Sequence, residues 1–160
     1  DPLFSANVTN SIEPYAELVR YYRECWAGYG RDPADALVGA GTAGYYAAKT
    51  SQDAISTYRP IFESRQDAMR SRGITPVFHS LEDAVERSSA LVGSPQQIID
   101  KVHRYHEQIG HEVLHINADG AGLTPAQHRA TLELFQNEIA PALRREIPSR
   151  DFPTVSENIS

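Results

Sequence analysis

Three times along this chain a short apolar stretch of strand character runs into a helical segment, with no hairpin turn between the stretches. Antiparallel neighbours can be joined by two-residue turns, whereas parallel ones need a long crossover. Strand then helix, repeated, therefore predicts parallel strands with right-handed crossovers, an α/β architecture. The predicted strands are residues 3–8, 36–48 (with an irregular middle) and 112–117. Three parallel strands cannot close a barrel and leave unpaired edges. Parallel sheets also require cover on both faces. The chain is thus either a small open α/β domain or the carboxyl part of something larger.

Five helices are expected. The first begins near Ser11 to Pro14 and reaches about Tyr29, with Tyr15, Leu18, Val19, Tyr22, Trp26 and Tyr29 at helical spacing. The second opens at Thr50 and carries Ala54, Ile55, Tyr58, Ile61 and Phe62, with Pro60 expected to kink or split it. A short third helix follows Ser80, burying Leu81, Ala84 and Val85. The last two share one start device: Ser94-Pro95-Gln96-Gln97 and Thr124-Pro125-Ala126-Gln127 each place a cap, a first-turn proline and a capping-box glutamine in order. Ile98, Ile99, Val102, Tyr105 and Ile109 form the stripe of the fourth, which Gly110 ends; Leu132, Phe135, Ile139 and Leu143 form that of the fifth, bent by Pro141. Residues 64–93 read as an insertion with one small helix and no confident strand, residues 1–147 as the folded portion, and 148–160 as a frayed, disordered tail.

Composition narrows the functional classes. With 160 residues, 41% hydrophobic and 22% charged, this is a globular balance of single-domain size. No apolar run is long enough to span a membrane. The net charge of −6 and scattered arginines argue against nucleic acid as the main partner. Cys25 stands alone, so an internal disulfide is excluded and a reducing, cytoplasmic compartment is expected. Asp1-Pro2-Leu3-Phe4 has neither a basic region nor a cleavage signature, so no signal peptide is expected. It has no starting Met either, so residue 1 is not expected to be the natural start. The triplets at Asn7 and Asn158 read as chance glycosylation matches.

Two motifs invite other chemistry. Gly39-Ala40-Gly41-Thr42-Ala43-Gly44 matches the dinucleotide fingerprint, whose glycines admit a pyrophosphate to a helix N-terminus. That loop should open directly into a helix; here Tyr45-Tyr46 favour continued strand, and a glycine-rich barrel strand end is the leading reading. Six histidines suggest a metal, but His103 and His106 have no third ligand placed beside them, and no metal site is expected. Cys25, on a helix flank beside Trp26, reads as a small hydrophobe.

The carboxyl half carries a family resemblance. Ala90-Leu91-Val92-Gly93-Ser94-Pro95-Gln96-Gln97-Ile98-Ile99 resembles the Val-Gly-Ser/Thr-Pro helix start that precedes the eighth barrel strand in the bacterial luciferase-like flavin monooxygenases. The strand Val113-Leu114-His115-Ile116-Asn117, the loop Ala118-Asp119-Gly120-Ala121-Gly122 and the closing helix Leu132-Glu133-Leu134-Phe135-Gln136-Asn137-Glu138-Ile139-Ala140-Pro141-Ala142-Leu143 follow in the family's order. Upstream, Pro2-Leu3-Phe4-Ser5-Ala6-Asn7-Val8 is similar to the sixth strand, and Tyr29-Gly30-Arg31-Asp32-Pro33 to the turn after its helix.

The resemblance implies the carboxyl part, about three β-α units, of a TIM (β/α)8 barrel, with residues 37–48 as the seventh strand and 64–93 as the insertion after it. A whole barrel takes about 250 residues. It implies a flavin-dependent monooxygenase or oxidoreductase acting on a small organic substrate, using reduced flavin (FMN) with oxygen, or a deazaflavin that moves hydride. The phosphate would be held mainly by residues upstream of this chain, leaving these residues inactive alone. A flavin reductase is an implied partner, and the chain is expected either to form a homo-oligomer or to join an amino-terminal half-barrel. Strand carboxyl ends form the barrel mouth, which points Asn7 and Thr9, Gly41 and Thr42, and Asn117 and Asp119 toward it. Asn7, Thr42 and Asn117 are the expected cofactor contacts. Asn7 equally suits a cap for its loop, and Asn117 and Asp119 equally suit Asx turns. No catalytic residue is assigned. Two alternatives stay open: a non-catalytic half-barrel subunit that pairs through its strand edges, and a dinucleotide-binding α/β domain using Gly39 to Gly44.

Overall fold

The computed structural model describes residues 2–147. The expected tail, 148–160, lies outside the described residues.

Strand β1 (Leu3–Ser5) leads into α1 (Ile12–Gly28), and a single 3₁₀ turn (Pro33–Asp35) precedes β2 (Val38–Gly41). Then come β3 (Tyr45–Ala47), α2 (Ser51–Ser71), α3 (Leu81–Arg87) and β4 (Leu91–Gly93). Helix α4 (Pro95–Ile109), β5 (Val113–His115), α5 (Pro125–Leu134), a π-helical turn (Phe135–Ile139) and α6 (Ala140–Glu146) complete the order. All pairing is parallel. β2 is central in a three-stranded sheet ordered β1-β2-β5, and β3 pairs with β4 in a second, two-stranded sheet. The register sets Phe4 beside Gly39, Gly39 beside Val113, and Gly41 beside His115.

The helix starts follow local chemistry. Ser94 and Thr124 each accept from the backbone N–H three residues on, while Gln97 and Gln127 reach back to the cap, closing two reciprocal boxes. Gly110 ends α4 with φ +63°, a conformation that costs glycine little. The expected α4 stripe is buried in full: Ile98, Ile99, Val102, Tyr105 and Ile109. Ile98 and Ile109, each 1% exposed, contribute about 1.5–3 kcal/mol apiece by leaving water. On α1, Val19 is buried and Tyr15 and Tyr22 pack on the same core, but Leu18 and Tyr29 turn outward.

Three expectations change. The stretch 36–48 is two strands, because Thr42 to Gly44 turns the chain from one sheet into the other. Residues 64–93 hold more than one small helix: they complete α2, form α3, and supply β4, whose Leu91 and Val92 are buried. β4 was hidden because three residues are too few to show a period. Helix α2 runs unbroken through Pro60. Pro60 is exposed, while Tyr58 and Ile61 on either side of it are buried and hold both halves of the helix to the core.

The three-stranded sheet has two unlike faces. Leu3, Val38, Ala40 and Leu114 pack against α1 and α4 with Ile12, Val19, Tyr105 and Ile109. On the other face Phe4 is 57% exposed, Val113 45%, and His115 is exposed. Among the described residues nothing pairs with the outer edges of β1 or β5. A parallel sheet with one bare apolar face and two free edges matches the expectation of a sector rather than a closed ring.

Candidate functional site

The carboxyl ends of β1, β2 and β5 lie side by side, and a continuous hydrogen-bond network ties them together. Asn7 is its hub. It is 1% exposed, and its backbone adopts φ +54°, the left-handed region that asparagine tolerates better than most residues. Its side-chain oxygen accepts from the Ser5 hydroxyl, and its amide donates to the Tyr105 hydroxyl. The Tyr105 hydroxyl donates onward to the Gly41 carbonyl at 2.9 Å. The Ser89 hydroxyl donates to the Asn7 carbonyl and accepts from the Ala43 N–H at 2.9 Å. Burial pushes the Tyr105 hydroxyl up to about 12, so it remains a donor at any ordinary pH.

A second tie joins β2 to β5. Thr42, 1% exposed, accepts the Asn117 N–H on its hydroxyl at 2.9 Å. Beyond it Asp119 accepts from the Ala121 N–H at 2.9 Å, which is an Asx turn, and pairs with Arg65 at 3.4 Å. Arg65 also donates to the Tyr58 hydroxyl at 3.0 Å. Thr9 meets the Tyr15 hydroxyl at 2.9 Å.

The expected contacts therefore differ in availability. Alternation along β1 sends Leu3, Ser5 and Asn7 to the helix side and leaves Phe4, Ala6 and Val8 exposed. Asn7 and Thr42 lie at the strand carboxyl ends, but their side chains serve the network. Asn117 lies two residues past the end of β5 and is half-buried. Its side-chain amide has no hydrogen bond to the described residues. Tyr105 and Ser89 were missed at the sequence level. Tyr105 was read as core stripe, which it is, and only its hydroxyl reaches the strand ends. The parity of Ser5 and Asn7 with Leu3 was the available signal for their inward direction.

The glycines of the fingerprint stretch have structural reasons. A Cβ on Gly41 would strike the Ala6 carbonyl, and one on Gly44 the Tyr58 hydroxyl. A Cβ on Gly39 would lie 2.6 Å from the Phe4 ring. Strand β3, not a helix, follows Gly44, so the loop does not open directly into a helix as that fingerprint requires.

The histidines are dispersed. His103 meets Glu146 at 3.0 Å, His128 meets the Ala118 carbonyl at 3.0 Å, and His106 packs on His111 with ring centres 5.2 Å apart. Burial, reinforced by His106 and Arg23, pushes His111 down to about 4. No helix of the described residues is long and apolar enough to cross a membrane.

Comparison with known proteins gives a consistent picture. The family model described as luciferase-like monooxygenase matches residues 1–112. No curated protein matches the chain. Among solved structures, the monooxygenase RslO1 from Streptomyces bottropensis superposes with TM-score 0.69 at 19% identity, over 88% of this chain and 40% of its own. The oxygenating constituent of 3,6-diketocamphane monooxygenase from Pseudomonas putida, solved with FMN, gives 0.59 at 22%, over 88% of this chain and 47% of its own. The coenzyme F420-dependent tetrahydromethanopterin reductase from Methanopyrus kandleri gives 0.57 at 14%, over 88% and 44%. The chain spans less than half the length of each of these three relatives.

Proposed function

The chain belongs to the luciferase-like monooxygenase family, and on that premise we propose that it forms the carboxyl sector of a TIM-type barrel oxidoreductase that uses FMN or a deazaflavin on a small organic substrate. The observation that carries this reading is the bare sheet face, open at the same end where Asn7, Thr42 and Asn117 converge. Parallel sheets keep such a face only when other elements enclose it. Enclosure by further strands would make it a barrel interior, with its mouth at the strand carboxyl ends.

The residues present fit a planar cofactor ring. The central strand carries no side chain of its own at Gly39 and Gly41, where the Phe4 ring and the Ala6 carbonyl lie over it, and the Asn117 amide offers a donor and an acceptor beside them. Asn117 would touch the ring, while Asn7 and Thr42 hold the loops that frame it. The cofactor, when bound, supplies the redox chemistry: oxidation with oxygen for FMN, hydride transfer for a deazaflavin. This chain's part is to position the ring and to exclude water with Phe4, Val8 and Val113. Phosphate contacts belong in this reading to residues outside the chain, and a separate reductase is the proposed source of electrons for an FMN enzyme.

The test is direct. The protein carrying this chain should quench FMN or F420 fluorescence saturably; quenching of neither sinks the proposal. The two free strand edges favour a second reading, a half-barrel that associates without cofactor. Sedimentation of a stable cofactor-free dimer, together with absent flavin binding, selects it.

A further inference from the structure

A cleft of about 250 Å³ lies between α4, β5 and α6, on the helix-covered side of the sheet. Val102, Leu114, Ile116, Phe135, Leu143 and Ile147 make its lining largely apolar. The His103–Glu146 pair, at 3.0 Å, ties α4 to α6. Alternation sets Leu114 on the opposite side of β5 from Val113 and His115, so whatever fills the cleft does not touch the open face.

Two features separate this cleft from a packing fault. The helical wall is irregular: Phe135–Ile139 is a π-helical turn, and Phe135 and Ala140 at its two ends both line the cleft. Such turns are rare and recur at functional sites. The second feature is His111, which also lines the cleft. It is 5% exposed, and its Nδ1 is buried with no hydrogen bond to a described residue. Its neighbours there are rings, Tyr105 at 5.1 Å and His106 at 5.2 Å between centres. A buried imidazole without a polar partner is uncommon and calls for one.

The lining also limits the charge of an occupant. Glu112 beside His111 is a carboxylate held by the Val38 N–H at 2.6 Å, and it disfavours an anion. Arg144 at the exposed rim disfavours a cation. Burial keeps His111 itself uncharged at neutral pH. We propose that the cleft is a binding site for a small uncharged phenol, its ring against Phe135, Leu114 and Leu143 and its hydroxyl on the His111 imidazole. A hydroxyl donates and accepts, so it completes a neutral imidazole in either tautomer. An apolar cavity of roughly 150 Å³ already admits benzene, so a substituted single ring fits here.

The experiment titrates the protein carrying this chain with p-cresol and with p-xylene, in which a methyl group replaces the hydroxyl. It reads the heat of binding and the amide resonances of Val102, Leu114 and Ile116. p-Cresol should shift those resonances saturably and bind about tenfold more tightly than p-xylene, the equivalent of one hydrogen bond. His111→Phe should bring the two probes to equal affinity. Leu143→Trp, which fills the cleft, should abolish binding of both. FMN and F420 titrations of both variants should match the wild type, because the open face is untouched, and thermal midpoints within a few degrees establish intact folding. Equal affinity for the two probes in the wild type, or a hydroxyl preference that survives His111→Phe, overturns the inference. A wild type without saturable p-cresol binding also overturns it, the cleft then being filled by the protein's own segments.

Discussion

The Asn7 side-chain amide donates to the Tyr105 hydroxyl across 98 residues of chain, joining the end of β1 to the middle of α4 inside the core. Tyr105 passes the link on to the Gly41 carbonyl, so one phenol serves two strand ends. Tyr105→Phe removes both bonds and leaves two buried polar groups short of a partner. It should cost about 1–3 kcal/mol per group left unsatisfied, read as a lowered urea midpoint. A change of only a few tenths would mean that water replaces the hydroxyl.

His111 makes stability fall in mild acid. Its folded value, about 4, lies below the ordinary histidine value of 6.5 because burial disfavours the charged ring. Between those values the unfolded chain binds the proton and the folded chain does not. Its contribution to stability is therefore complete above pH 6.5, declines as pH falls toward 4, and is flat below that. Urea midpoints at pH 7.5, 6 and 5 should drop in the wild type, and the part of the drop due to this residue should vanish in His111→Gln. Equal slopes in both proteins would assign the acid sensitivity elsewhere.

Lys101 is a buried cation used as a clamp. It is 6% exposed, and its ammonium donates to the Val85 carbonyl and, at 2.7 Å, to the Ala90 carbonyl. Burial first, then Arg104, pushes it down to about 8. Lys101→Met fills the same space but strands the Val85 carbonyl in the last turn of α3 and the Ala90 carbonyl just before β4. Amide exchange across Leu81–Arg87 should accelerate about tenfold or more, the effect of roughly one to two kcal/mol of lost hydrogen bonding. Unchanged exchange there would remove the clamp role.

Two glycines on one strand should respond differently to one methyl group. Gly41→Ala drives its Cβ into the Ala6 carbonyl, which is backbone fixed between the end of β1 and the buried Asn7. Gly39→Ala meets only the Phe4 ring, at 2.6 Å, and that ring is 57% exposed and can swing away. Gly41→Ala should therefore lose about 2 kcal/mol or more, and Gly39→Ala less than about 1, on the scale of overpacking costs. Thermal unfolding of the two variants side by side checks the order.

Local devices were readable in the residues. The boxes at Ser94 with Gln97 and at Thr124 with Gln127 formed as expected, and the α4 stripe is buried throughout. These signals lie within one helical turn or one repeat, so no distant partner is needed to make them. β4 was not readable, nor was the unbroken course of α2 through Pro60, because each depends on what packs beside it. At the strand ends, proximity was legible and direction was not: Asn7 follows β1 as expected, yet its amide turns to Tyr105.

Sequence alone determined the order of strand and helix, the parallel pairing that order requires, the helix starts and the family. Tertiary structure decided which side of the sheet the residues of β1 and β5 occupy, and so that Asn7 serves the core while His115 faces the open side with Phe4. The reason is that caps and stripes are set by neighbours a few residues apart, whereas the face of a three-residue strand is set by helices a hundred residues away that bury one side and leave the other bare.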